Sequence, residues 1–251
     1  MRGIGPARRG SAGLLASICA VGLVLVAGLT ALGTWQIQRR AWKHDLIARV
    51  DARVHADPVE APGPEDCTSL TAEADAYRRV RATGRLRQDS ETLVQAVTEL
   101  GGGFWVMTPL ERADGTTILI NRGFVPADRR DPAARVEGRG DGPVTVTGLL
   151  RLTEPGGGFL RRNDPAAGRW YSRDVDAIAQ ARGLSRTAPY FIDADATPNA
   201  GGWPVGGLTI VAFPDNHLVY AITWYILALM VAGGVAYTVL DARRTRRRAS
   251  P

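Results

Sequence analysis

Two long stretches of the chain contain no Asp, Glu, Lys or Arg, and this separation of apolar from polar positions predicts two membrane-spanning helices. The stretches run from Ser11 to Leu32 and from Leu218 to Leu240. At about 1.5 Å per helical residue, each is ~33 Å long and can cross a hydrocarbon layer of about 30 Å. The polar residues between them, Gly33 to Asn216, are then expected to form a domain on one side of the membrane.

The first apolar stretch must be compared with a secretory signal. Arg2, Arg8 and Arg9 precede it, and small residues around Ala31 and Gly33 are compatible with a cleavage site. A signal sequence, however, has an apolar core of about 7 to 15 residues, whereas this stretch has 22. We therefore expect a helix that remains as an uncleaved anchor.

The second apolar stretch sets the predicted orientation. Asp215 precedes it, and five arginines follow it, at positions 243, 244, 246, 247 and 248. Because Lys and Arg accumulate in cytoplasmic segments, we expect both termini in the cytoplasm. The predicted segments are a cytoplasmic N-terminus (residues 1–10), a transmembrane helix (11–32), a juxtamembrane helix with a Pro-rich linker (33–76), a non-cytoplasmic β-rich domain (77–216), a second transmembrane helix (217–240) and a basic cytoplasmic tail (241–251).

The residues after the first span divide into a helical part and a linker. Thr34 to Val54 keeps apolar residues at helical spacing, and its Trp35 and Trp42 suit a membrane interface. Asp57 to Ala76 contains several prolines and predicts a linker.

Strand-forming runs bounded by turn residues fill the middle domain. The predicted strands are Tyr77 to Leu86, Thr92 to Val97, Phe104 to Leu110, Thr116 to Phe124, Val144 to Leu152, Pro189 to Ala194 and Leu208 to Phe213. Asp114-Gly115 predicts a two-residue type I′ hairpin turn, and Gly101–Gly103 and Gly156–Gly158 are interpreted as turns. One helix, capped by Asp174 and ended by Gly183, interrupts the strands. The pattern predicts an α+β membrane protein, with two transmembrane helices flanking a mainly antiparallel small barrel or sandwich that carries a helix.

The charge balance does not favour a nucleic-acid partner. Lys and Arg number 31 against 25 Asp and Glu, but the five arginines of the tail supply most of the excess. No aromatic residues alternate with them, as they would in a single-strand binder. We interpret the tail as an anchor that contacts membrane lipid. The two cysteines, Cys19 and Cys67, are too few for a disulfide framework.

No motif of a known catalytic class accompanies the three histidines, His44, His55 and His217. We therefore expect a protein that is not an enzyme. A membrane-anchored hydrolase built on dispersed carboxylates such as Asp164 and Asp174 remains an alternative.

His217 stands where the second apolar helix begins. The helix dipole there disfavours protonation and keeps the imidazole neutral, the form that binds metal ions. Tyr220, Ala221 and Trp224 follow on the same helix face. A haem lying along this face, with His217 as the ligand of its iron, fits this spacing. The alternative is that His, Tyr and Trp stand there because amphipathic residues collect at membrane interfaces.

Several motifs, taken in order, resemble the Surfeit locus protein one family of cytochrome c oxidase assembly factors. They are Leu32-Gly33-Thr34-Trp35-Gln36 with Arg39, Arg40 and Lys43; Asn121 to Pro126; Phe159-Leu160 with Asn163-Asp164-Pro165, Arg169-Trp170-Tyr171 and Asp174; and Pro204, Gly206-Gly207 and Phe213 to Leu218 with Tyr220 to Tyr225. The likeness extends from Leu32 to about Tyr237 without the linker. Asp215 departs from the asparagine usual in the family.

The resemblance implies a role in maturing the haem-copper subunit of the oxidase. It implies haem a as cofactor, bound transiently at His217, with Tyr220 and Trp224 beside it. The implied partners are that subunit and haem A synthase, in a bacterial cytoplasmic membrane with the middle domain in the periplasm. Arg122 is expected either to meet a haem propionate or to form a structural salt bridge.

A second interpretation is a membrane scaffold that holds the nascent subunit without binding haem. Ala228, Ala232 and Ala236, at four-residue spacing, would then permit close helix contact.

Overall fold

The computed structural model describes residues 9–138, 140, 142–158, 160–211, 213 and 215–248. The chain folds into two compact units. One contains residues 49–211, and the other contains the two terminal segments. The fold is α+β, with an apolar helix at each end of the chain and a small β-barrel between them in sequence.

The two terminal helices confirm the long apolar helices that the uncharged stretches predict. Helix α1 spans Arg9–His55 and helix α4 spans His217–Arg248. Both are long and apolar enough to cross a membrane. Large apolar side chains such as Leu23, Val24 and Leu229 are about 70% exposed, and a bilayer would cover them. Helix α1 continues without a break through the predicted Thr34 to Val54 segment, and α4 continues past Leu240 into the arginines.

Helices α1 and α4 pack antiparallel at small residues. Gly22 of α1 lies against Val235 of α4. Gly33 lies against Tyr225, so closely that a Cβ atom at position 33 would stand 2.8 Å from Cε1 of the ring. The Oγ1 atom of Thr34 lies 3.1 Å from the hydroxyl of Tyr225. These contacts set the register of the helix pair.

The described residues of the β unit form a mixed sheet of seven strands. They are β1 (Val59–Glu60), β2 (Arg79–Leu86), β3 (Thr92–Thr98), β4 (Gly101–Glu111), β5 (Thr117–Pro126), β6 (Pro143–Leu152) and β7 (Thr187–Ala194). The strand order is β1-β2-β6-β7-β5-β4-β3. A further pairing of Arg85 with Glu111 and of Leu86 with Leu110 joins β2 to β4 and closes the barrel. Pairing is antiparallel except between β1 and β2 and between β5 and β7.

Strand β5 is buried on both faces. Its Ile118 and Ile120 pack in one apolar cluster with Tyr190 and Ile192 of β7. Leu119 points to the opposite face and joins a second cluster. That cluster also contains Phe191, Trp170, Val175 and Ile178. Helix α3 (Val175–Arg182) therefore covers the outside of the barrel. Its N-terminus is capped as predicted, since Oδ1 of Asp174 accepts the N–H of Ala177 at 3.2 Å. A four-residue helix, α2 (Ala72–Asp75), lies within the predicted linker.

Three local predictions are wrong. The described residues of the Leu208 to Phe213 segment form no strand, and Thr209 within it donates a side-chain hydrogen bond to Asp193 instead of pairing its backbone in the sheet. The run Gly101–Gly103 lies in β4, paired with β3, rather than in a turn. The Asp114-Gly115 hairpin is not type I′, because Gly115 has a positive φ of 76° whereas Asp114 does not. The N–H of Arg112 donates to the carbonyl of Thr116, which gives a three-residue loop.

A buried carboxylate joins several strands of the β unit. Asp193 of β7 is 2% exposed. Its oxygens accept hydrogen bonds from Asn121 at 2.7 Å, Arg173 at 2.9 Å, and Arg151 and Thr209 at 3.0 Å. Arg151 and Arg173, two guanidinium groups of low exposure, therefore share the buried carboxylate of Asp193, and both also pair with the half-buried Glu154.

We expect the Asp193→Ala variant to lose about 3 kcal/mol of unfolding free energy, because Arg151 and Arg173 lose their buried partner and keep only the half-buried Glu154, and the amide of Asn121 loses its acceptor. Chemical denaturation of the full chain in detergent, followed by circular dichroism, measures the loss. Asp164→Ala is the matched control, since Asp164 pairs with the exposed Arg169 and an exposed pair contributes little. Equal denaturation midpoints for the two variants would contradict the importance of the Asp193 network.

Candidate functional site

Helix α4 begins at His217 because the preceding residues bind its free N–H groups. Oδ1 of Asp215 accepts the N–H of His217 at 3.0 Å. The carbonyl of Asn216 accepts the N–H of Tyr220 at 3.2 Å. The first contact satisfies one of the donors that the first helical turn leaves unpaired, and the second is the first regular hydrogen bond of the helix. The structure thus places His217 at the first position of the helix, as the sequence predicts.

The imidazole of His217 contacts helix α1. Its Nδ1 atom lies 2.7 Å from Oε1 of Gln36, and the ring is half-buried. Within the described part of the chain, the Nε2 atom has no hydrogen-bond partner. On the face of α4 that continues from His217, Tyr220 is 56% exposed, Ala221 is buried and Trp224 is half-buried. The structure therefore brings together the three site residues that the sequence places on α4.

A row of polar side chains on α1 faces the start of α4. Gln36, Arg40 and His44 follow one another at four-residue spacing, which puts them on one helix face. Nε2 of His44 donates to Oδ2 of Asp215 at 2.7 Å, and Nε of Arg40 lies 3.4 Å from the same oxygen. The four-residue spacing of this row is visible in the sequence, but the residues that the row meets are not.

These neighbours lower the pKa of the Asp215 carboxyl group. The hydrogen bond from His44 lowers the pKa of Asp215 the most, followed by the backbone N–H of His217, and the charges of His44 and Arg40 lower it further. Asp215 therefore stays ionised over a wider pH range than an ordinary aspartate. This carboxylate places a negative charge between α1 and the start of α4.

Arg122 belongs to the β unit and is 6% exposed. Its NH2 donates to Oδ1 of Asn199 at 3.2 Å, and its NH1 lies 4.0 Å from Oε2 of Glu91. Glu91 also accepts a hydrogen bond from Arg135 at 2.9 Å. These contacts favour the structural ion pair among the two predicted roles of Arg122.

Three further residues of the motifs, Asp164, Trp170 and Asp174, make contacts that stabilise the β unit. Trp170 is buried in the cluster beneath α3. Asp174 caps α3, and Asp164 forms a hairpin pair with Arg169 at 2.6 Å. Trp35 is 53% exposed on α1. Both carboxylates considered for a hydrolase therefore stabilise local structure.

We expect the lowered pKa of Asp215 to rise toward the ordinary value of about 3.9 in His44→Ala, because this variant removes the strongest hydrogen bond to the carboxylate. In the native chain, the stabilisation from this carboxylate is complete above its ordinary pKa and is lost as the pH falls through the lowered pKa. A pH titration of the Asp215 carboxyl carbon by ¹³C NMR, in micelles, measures the shift. His55→Ala, an exposed histidine on the same helix, should leave the titration unchanged. Identical Asp215 titrations in His44→Ala and the native chain would refute the coupling.

Comparison with known proteins agrees with the motifs. The SURF1 family model matches residues 23–229. Surfeit locus protein 1 of Rattus norvegicus is 39% identical over 220 residues, which is 81% of this chain and 69% of the rat protein. The human protein of the same name is 38% identical over 226 residues, covering 82% of this chain and 73% of its own length. A SURF1-like protein of Monosiga brevicollis is 37% identical over 236 residues, covering 88% and 87%. The chain belongs to the SURF1 family.

Proposed function

We propose that this protein is a non-enzymatic assembly factor for cytochrome c oxidase. It binds haem a at the start of α4, through His217, and assists insertion of the haem into the haem-copper subunit. Haem A synthase is the proposed donor and the haem-copper subunit the acceptor. Membership of the SURF1 family supports the assembly role, and the environment of His217 supports the cofactor.

The donor group at the start of α4 fits haem iron. An imidazole whose Nδ1 is held by another side chain offers Nε2 to a metal, and this arrangement is typical of histidine ligands. The porphyrin would itself hold the iron, so the imidazole of His217 would be a sufficient donor from this chain. The pairing of His217 with Gln36 at 2.7 Å is the observation that carries the proposal.

The neighbours of His217 have distinct parts in this site. Tyr220 and Trp224 supply aromatic surfaces for a flat macrocycle, and Ala221 between them leaves room. Arg122 is left out of the proposed site, because buried partners in the β unit account for its charge. When bound, haem a supplies the iron centre that the oxidase needs. A single protein ligand at the edge of the membrane favours release of the cargo.

The proposed location is a bacterial cytoplasmic membrane, with both termini in the cytoplasm and the β unit in the periplasm. The arginines at the C-terminal end of α4 support this orientation. They also provide contacts for anionic lipid.

A scaffold that holds the oxidase subunit without haem is the second candidate function. A groove of about 510 Å³ between α1 and α4 favours it, lined by Ser17, Gly22, Gly234 and Thr238 among others. Small residues allow close approach of another membrane helix. Of the three alanines at four-residue spacing on α4, Ala228 is buried, while Ala232 and Ala236 are exposed.

The proposed function predicts that His217→Ala loses most of its bound haem a, because the variant lacks the axial donor. The full chain is co-expressed with the enzymes of haem A synthesis, purified and examined by its Soret absorbance per mole of protein. His55→Ala, which removes an exposed histidine, should keep the absorbance of the native chain.

An unchanged Soret band in His217→Ala would overturn the assignment of the ligand. A native protein that is colourless yet captures the haem-copper subunit would support the scaffold function instead.

A further inference from the structure

The hydrogen bond between His217 and Gln36 determines which imidazole nitrogen carries the proton. The amide oxygen Oε1 of Gln36 can only accept, so Nδ1 of His217, 2.7 Å away, is the donor. A neutral imidazole has one N–H, and its lone pair then lies on Nε2. The contact thus selects one of two tautomers, the one whose free nitrogen is Nε2.

We infer that Gln36 is a positioning residue, which holds His217 in the Nδ1–H tautomer and orients Nε2 as the donor to the haem iron. This inference rests on the proposed function, since it assigns a role to Gln36 at the same site. Gln36 does not contact the iron. It acts through His217, by fixing the orientation and the tautomer of the ring.

Contacts on both sides of the Gln36–His217 pair keep it in place. Toward the apolar part of the helices, Thr34 of α1 meets the hydroxyl of Tyr225 at 3.1 Å. In the opposite direction, Asp215 accepts from His44 at 2.7 Å. The pair therefore lies between two points at which α1 and α4 are joined. Half-burial of both side chains limits competition from water for the hydrogen bond.

A purely structural role for Gln36 is the competing explanation, because hydrogen bonds between membrane helices also hold helices together. The two roles differ in what Gln36→Glu does. A carboxylate at position 36 still accepts from Nδ1 and donates more electron density to the imidazole. A positioning role therefore predicts that Gln36→Glu keeps the Nδ1–H tautomer of His217 and lowers the reduction potential of the iron. Gln36→Leu is expected to lose the preference for this tautomer.

The tautomer is measured without haem. The full-length chain with ¹⁵N-labelled histidine is placed in lipid nanodiscs, and long-range ¹H–¹⁵N spectra identify the protonated nitrogen of His217. We expect Nδ1–H in the native chain and in Gln36→Glu, and a mixture of tautomers in Gln36→Leu. Gln38→Leu is the matched control, because Gln38 is an exposed glutamine two residues away on α1. A native Nδ1–H tautomer that persists in Gln36→Leu would overturn the inference.

The haem-loaded chain gives the second readout. We expect Gln36→Leu to bind haem a about 10- to 100-fold more weakly, as is usual when the partner of a histidine ligand is removed. We expect Gln36→Glu to retain binding and to shift the midpoint potential to a lower value. Gln38→Leu should match the native chain in both measurements.

The two proposals fail in different ways. If His217→Ala keeps its haem, the proposed function fails, and the role of Gln36 fails with it. If His217→Ala loses haem while Gln36→Leu binds it with native affinity and potential, the inference about Gln36 fails alone.

Discussion

Hydrogen bonds between one polar face of α1 and the residues at and just before the start of α4 are the constraint on which the helical unit depends. In an apolar helix pair, dispersion and close packing provide contact but little direction. The pairs Gln36 with His217 and His44 with Asp215 add direction, because each needs its two side chains in one register. A shift of one helix by a single turn would separate both pairs. The position of the His217 ring is thus a consequence of helix register as much as of local sequence.

In the β unit, a buried ion-pair network takes the place of the hydrogen bonds that join α1 and α4. Its barrel is closed by a short pairing of β2 with β4, and its strands are tied together by the buried carboxylate of Asp193. The arginines that meet this carboxylate come from β6 and from the segment before α3. Breaking such a network by removing one member is costly, whereas each exposed ion pair of the same domain contributes little. Arg122 is likewise engaged within the fold, by Glu91 and Asn199.

Much of the fold could be predicted because its signals are local. Stretches without charge gave the two apolar helices, and alternation gave most of the strands. Asp174 and Gly183 marked both ends of α3. Leu208 to Phe213 was misread because alternation describes an extended chain and does not show whether that chain pairs with another strand. The parallel pairing of β5 with β7 joins residues far apart in sequence, which no local pattern records.

At the candidate site, the sequence revealed the residues on α4 but not those on α1. His217, Tyr220 and Trp224 follow one another within a single helix, so their shared face can be counted. Gln36 and His44 lie more than 170 residues away from their partners in sequence. Their four-residue spacing showed a polar face but not what the face would meet.

The close approach of Gly33 to Tyr225 links packing to chemistry. A β-carbon at position 33 would fall at less than van der Waals distance from the ring of Tyr225. Any larger residue at this position would therefore increase the distance between α1 and α4. Position 33 lies one helical turn from Gln36, and a hydrogen bond tolerates only a few tenths of an ångström of separation before it weakens. The absence of a side chain at Gly33 thereby keeps Gln36 within hydrogen-bonding distance of His217, although Gly33 itself does not contact the imidazole.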